Sequence, residues 1–141
     1  MTTRLPKIGF IGLGTMGRPM AARVQAAGYC LVVVDFEPPL PAALVEAGAI
    51  VCATNRQVAE SSEVVILMLP DTPDVELVLF GEDGVAAGLR PGQTVIDMSS
   101  ISPTATVDFA RRINELGCAY LDAPVSGGAP RALTGELTLM V

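Results

Sequence analysis

The sequence contains no histidine, and its three cysteines, Cys30, Cys52 and Cys118, sit in or beside apolar runs without CxxC spacing. That excludes a metal site of the usual His/Cys kind, and the cysteines read as small buried side chains in a reducing compartment. Aromatic residues are only 4% of the chain, and its few basic residues form no tract. Without a stacking platform or a basic stripe, nucleic-acid binding is not expected. Long hydrophobic runs are missing too. Val64–Leu69, among the strongest, has six residues, far short of the ~20 that span a bilayer. The start, Met1 to Lys7, leads into no signal-type apolar core. The expectation is a soluble, cytoplasmic chain with neither membrane nor nucleic acid as partner.

What is present is a chain of 141 residues, half of them apolar and 17% charged, with a formal net charge of -6. Such a chain fits one domain with a covered sheet. Short apolar runs alternate with helical spacing. Strands are expected at Lys7–Ile11, Tyr29–Val34, Ala49–Ala53, Val64–Leu69, Thr94–Met98 and Cys118–Leu121, with a seventh at Leu137–Val141. Between them, the stripe Met16, Met20, Ala21, Val24, Ala27 marks a helix closed by Gly28. Further helices are expected at Ala42–Ala47, at Arg56–Glu60 behind an Asn55 cap, at Asp74–Leu79, and from Pro103 to Leu116. The alternation implies parallel pairing through right-handed crossovers. The fold class is therefore α/β, a Rossmann-type doubly wound, mostly parallel sheet with helices on both faces.

The first strand runs into Gly12-x-Gly14-x-x-Gly17, and a helix follows at once. In a dinucleotide fold Gly12 makes the tight turn, Gly14 lets a pyrophosphate approach bare backbone, and Gly17 lets helix and strand lie close. The phosphates then face N–H groups at the positive end of the helix dipole. In a chain with 14 glycines the pattern alone carries little weight; strand before and helix after strengthen it. So does Asp35, eighteen residues past Gly17 at the end of the next apolar run, near the ~20 expected for the acidic residue on the adenosine ribose. Asp35 would repel a ribose 2′-phosphate, and Phe36 rather than arginine follows it. The sequence thus leans to NAD, with NADP as the alternative that an adenine-pocket residue elsewhere would select.

Ligands of open α/β sheets bind beyond the carboxyl ends of the strands, where more polar or glycine-bearing turns gather. Leu69-Pro70 offers a rigid apolar turn for the nicotinamide side, or a plain strand terminator. Ser99 and Ser100 offer hydroxyls to a cofactor or a substrate carboxylate, or simply lead into the next helix. Ser126-Gly127-Gly128 is either an anion cradle of backbone N–H groups or a flexible turn.

Four motifs in order, Gly9–Met20, Met68-Leu69-Pro70, Ile96-Asp-Met-Ser-Ser-Ile101 and Asp122-Ala-Pro-Val-Ser-Gly-Gly128, give the chain a resemblance to the cofactor domain of the β-hydroxyacid dehydrogenases. The family includes 3-hydroxyisobutyrate dehydrogenase, tartronate semialdehyde reductase and phosphogluconate dehydrogenase. The wording of the third motif, with Gly28-Tyr29, is most similar to the tartronate semialdehyde reductase branch. The resemblance implies that Gly12, Leu13, Gly14, Thr15, Met16 and Gly17 hold the pyrophosphate. It implies Asp35 and Phe36 at the adenosine ribose, Met68, Leu69 and Pro70 at the nicotinamide side, and Val75 as a further cofactor contact. Ser100 would lie near both nicotinamide and substrate, and Ser126, Gly127 and Gly128 would hold the substrate's acid group.

The same resemblance implies a lysine as general acid/base, downstream of Val141 and near the start of a helical second domain that assembles the full-length protein into a homo-oligomer. Residues 1–141 are accordingly expected to be a dinucleotide-binding domain cut before that second domain. No catalytic residue is expected within it, since Arg18 and Arg131 stay protonated and Lys7 precedes the first strand. The expected reaction is hydride transfer between a nicotinamide cofactor and a small 3-hydroxy acid or semialdehyde. The alternatives are a non-catalytic dinucleotide-binding or sensor module and a relative of the imine reductases.

Overall fold

The computed structural model describes residues 4–34 and 40–141. Strand β1 (Ile8–Ile11) is followed by α1 (Gly17–Ala26), β2 (Leu31–Val34), α2 (Ala42–Glu46), β3 (Ile50–Cys52) and α3 (Asn55–Ser61). The second half repeats the pattern with β4 (Val64–Leu67), α4 (Thr72–Phe80), α5 (Val85–Gly88), β5 (Thr94–Asp97), α6 (Pro103–Asn114) and β6 (Ala119–Asp122). These six strands form one sheet in the order β3-β2-β1-β4-β5-β6, all pairs parallel. Strand order therefore reverses between β1 and β4, which opens a crevice at their carboxyl ends.

Alternation along the strands divides the core between two faces. Ile11, Val32, Val34, Val65, Leu67 and Val95 point to the face covered by α3, α4, α5 and α6, where they meet Val58, Leu79, Val85, Phe109 and Ile113. Phe10, Leu31, Val33 and Met98 point to the opposite face, against Met20 and Ala21 of α1 and Leu44 of α2. Runs such as Leu31–Val34, buried at every residue, reflect a strand covered on both sides.

The chain then departs from the expected seventh strand. Only Thr138–Leu139 of the last run is a strand, β8, and it pairs antiparallel with β7 (Val125–Ser126) as a separate two-stranded sheet. Pro124 precedes β7, and its carbonyl accepts from the N–H of Met140, which turns the last run away from the main sheet. Between these strands lies α7 (Gly128–Thr134), with Pro130 in its first turn and left-handed Gly135 as its C-cap. It is fastened to α1 by Arg23, whose Nε donates to the Leu133 carbonyl at 2.8 Å.

The cap of α3 also differs. Thr54, not Asn55, is the N-cap: its Oγ1 accepts from the Gln57 N–H at 3.1 Å, while Gln57 Oε1 accepts from the Ala53 N–H at 2.8 Å. Thr54-Asn-Arg-Gln57 is a capping-box sequence, and Asn55 is freed from that duty.

Candidate functional site

The glycine turn joins β1 to α1 at the crevice, and its three glycines stand in three different surroundings. Gly12 has φ +104°, and a Cβ there would lie 2.0 Å from the Met68 carbonyl oxygen. A Cβ on Gly17 would lie 1.6 Å from the Gly12 carbonyl oxygen. Both positions are closed to any side chain. A Cβ on Gly14 would meet nothing within 4 Å, so that backbone faces open space. Arg18 closes the turn, its N–H donating to the Gly14 carbonyl at 3.0 Å and its Nε to that of Leu13 at 2.9 Å. Among the described residues the N–H groups of Gly14, Thr15 and Met16 find no acceptor, and they lie at the positive end of a ten-residue helix.

In front of this turn lies a cavity of about 540 Å³. Gly12, Leu13 and Gly14 line one side, Leu69 and Pro70 another, and Val34, Leu40 and Asn55 the side at the ends of β2 and β3. Asp74, Leu77 and Val78 of α4, with Glu82, complete it. Thr15, Met16 and Gly17 stand at the head of α1, just outside. Met68 turns to the face carrying α1, and Val75 is fully buried in the core; neither lines the cavity. Asp35 and Phe36 lie outside the described residues.

The turns after β4 and β5 are latched together. Leu69 N–H donates to Ser99 Oγ at 2.9 Å, and Ser99 N–H donates to Asp97 Oδ1 at 3.0 Å. Asp97, fully buried, also accepts at Oδ2 from the Tyr120 hydroxyl at 2.8 Å. A second tie runs from the Ser102 N–H to Thr72 Oγ1 at 3.0 Å. The two serines therefore part company: Ser99 is 1% exposed and acts within this latch, while Ser100 is exposed at the edge of the crevice. Burial, with Asp97 beside it, pushes the Tyr120 phenol well above its ordinary range, so it stays a donor. Burial and the Asp97 carboxylate likewise raise Asp122, Asp97's partner across β5 and β6.

Ser126, Gly127 and Gly128 are exposed where β7 passes into α7, with φ +132° at Gly127 and +68° at Gly128. They and Ser100 stand apart from the cavity lining. Lys7, the one lysine in the sequence, accepts at its carbonyl from the Glu63 N–H at 2.9 Å, before β1 and at the opposite edge of the sheet. Sequence reasoning missed the latch and the cavity-lining Asn55, Asp74 and Glu82. Of these only Asn55 carried a signal: Thr54-x-x-Gln57 already supplied the cap.

The cavity and turn fit a dinucleotide: open backbone at Gly14, unpartnered N–H groups beyond it, and an apolar trough alongside. Comparison with known proteins agrees. Residues 7–141 match the family described as the NAD binding domain of 6-phosphogluconate dehydrogenase. The chain is 52% identical over 135 residues to 2-hydroxy-3-oxopropionate reductase of Escherichia coli, covering 96% of this chain and 46% of that protein. It is 42% identical over 137 residues to NAD-dependent L-serine dehydrogenase of Pseudomonas aeruginosa, covering 97% of this chain and 46% of that one. Among solved structures, 3-hydroxyisobutyrate dehydrogenase of Salmonella typhimurium superposes with a TM-score of 0.87 at 36% identity, covering 95% of this chain and 47% of that one. The chain thus spans about half the length of these relatives. With a parallel sheet in 3-2-1-4-5-6 order, a glycine turn at its switch point and these relatives, the chain belongs to the NAD-binding domain family of the β-hydroxyacid dehydrogenases.

Proposed function

We propose that the chain seats NAD in the cavity before Gly12–Gly17 and serves an oxidoreductase acting on a short 3-hydroxy acid or its semialdehyde, with 2-hydroxy-3-oxopropionate (tartronate semialdehyde) as the first candidate. The observation that carries the reading is the glycine turn, where Gly12 and Gly17 admit no side chain while Gly14 opens onto the cavity. The cofactor, when bound, would accept the hydride in its oxidised form and supply it in its reduced form. Gly14, Thr15 and Met16 would then donate backbone N–H groups to the pyrophosphate, helped by the dipole of α1. Asp35 would accept from the adenosine ribose hydroxyls, and for that reason the proposal is NAD rather than NADP.

Leu69 and Pro70 would floor the nicotinamide side, held in place by Ser99. Ser100 would lie between cofactor and substrate, and the Ser126–Gly128 turn would orient the substrate carboxylate. The choice of substrate rests on the 52%-identical relative and on the family resemblance of Ile96–Ile101 and Asp122–Gly128.

A proton must also reach or leave the substrate oxygen, and the chain's only lysine lies at the far edge of the sheet. We assign that step to a lysine downstream of Val141 in a longer, cytoplasmic, homo-oligomeric protein. The test is turnover of tartronate semialdehyde with NADH. A protein carrying the downstream segment should reduce it, and the 141-residue chain should bind NADH yet show no measurable rate. Robust turnover by the 141-residue chain would overturn the assignment of the proton donor.

A further inference from the structure

Asn55 opens α3 at the foot of the cavity and is only 8% exposed. Its Oδ1 is the one buried side-chain oxygen or nitrogen among the described residues without a hydrogen-bond partner. Leaving such an atom unpaired is costly, and buried polar side chains are normally satisfied. Its neighbours do not need it: Thr54 and Gln57 cap the helix, and the Arg56 N–H donates to the Asp83 carbonyl at 2.8 Å. Asn55 is also one of the residues that line the cavity.

The surroundings narrow what could pair with it. Val34, Leu77 and Val78 give this end of the cavity apolar walls, suited to a flat ring. Asp74 and Glu82 also line the cavity, with no lysine or arginine among the lining residues. Two carboxylates would repel a phosphate there, whereas a neutral group rich in donors is welcome. Adenine presents a 6-amino donor beside a ring-nitrogen acceptor, and a side-chain amide is its two-point complement. A half-turn of the amide exchanges oxygen and nitrogen, so either adenine edge that carries the 6-amino group can be met.

We propose that Asn55 is the adenine-reading residue of the site, its amide pairing with the 6-amino group and an adjacent ring nitrogen. The proposal rests on the proposed function, with the Asn55 side of the cavity as the adenosine end of the dinucleotide site. It assigns base specificity to α3, separate from the ribose contact at Asp35.

Calorimetry of the 141-residue chain with NAD and with nicotinamide purine dinucleotide tests it, since the analogue carries hydrogen in place of the 6-amino group and leaves the amide oxygen without a donor whichever way the amide is turned. The wild-type chain should bind NAD about tenfold more tightly than the analogue, the ratio expected for losing a paired buried hydrogen bond. Asn55→Ala should bring that ratio close to one, chiefly by weakening NAD. Asn55→Ser, whose hydroxyl is too short to reach but which suits a helix start, gives the same reading should the alanine variant fail to fold. A variant that keeps the wild-type preference for adenine, or weakens both dinucleotides alike, overturns the role of Asn55. Failure of the wild-type chain to bind either dinucleotide removes the cofactor reading itself, and the inference with it.

Discussion

Three glycines of one turn carry three separable physical loads, which makes them separable by substitution. At Gly17 a methyl would collide with the Gly12 carbonyl at 1.6 Å, and backbone cannot retreat as a side chain can. Gly17→Ala should therefore cost about 1–3 kcal/mol or more, the range of overpacking, seen as a lower denaturation midpoint. At Gly14 nothing lies within 4 Å and the backbone has no positive φ, so Gly14→Ala should leave stability within about 0.5 kcal/mol. It should still weaken NADH binding roughly tenfold, because the new methyl occupies the space proposed for the pyrophosphate. Equal losses of stability at both positions would mean that Gly14, too, is merely structural. The motif and the separate task of each glycine were legible in the sequence; that the Met68 carbonyl is what closes Gly12 was not, since it depends on how the end of β4 passes behind the turn.

At the scale of elements, the αβ repeat was readable because each strand is a short apolar run, closed by glycine after β1, by aspartate after β2 and by Pro70 after β4. The helix and strand boundaries followed to within a few residues. What escaped were the pieces whose identity is set by tertiary partners. Helix α5 is four residues long and exists against α3, where a Cβ on Gly88 would stand 2.2 Å from the Arg56 carbonyl oxygen. Helix α7 begins in two glycines, and β8 takes its partner from β7 across that helix.

The latch between β4 and β5 is of the same kind, since no spacing announces that Ser99 will accept from Leu69 thirty residues earlier. Tyr120→Phe removes the donor to buried Asp97, and Ser99→Ala removes the acceptor for the Leu69 N–H. Each should cost about 1–3 kcal/mol. Because both act through one chain of bonds, the double variant should lose less than the sum of the single losses, as chemical denaturation can measure. Strict additivity would mean that the two bonds do not form a unit.

The whole molecule offers a sheet whose strand order reverses where β1 meets β4; the glycine turn and the cavity lie at that reversal, and the latch ties the turn after β4 to its outer neighbour β5. Formal net charge is -6, yet the N–H groups of Gly14, Thr15 and Met16 give the site a local positive pole for an anionic ligand. Among the described residues no helix is long and apolar enough to cross a membrane. The proposed seating of NAD rather than NADP in this trough is open to one direct measurement: calorimetric titration of the 141-residue chain with NADH and, separately, NADPH. One site per chain and tighter binding of NADH are expected, because Asp35 would accept from a free 2′-hydroxyl and would repel a 2′-phosphate. Heat-silent titrations with both, or tighter binding of NADPH, would contradict it.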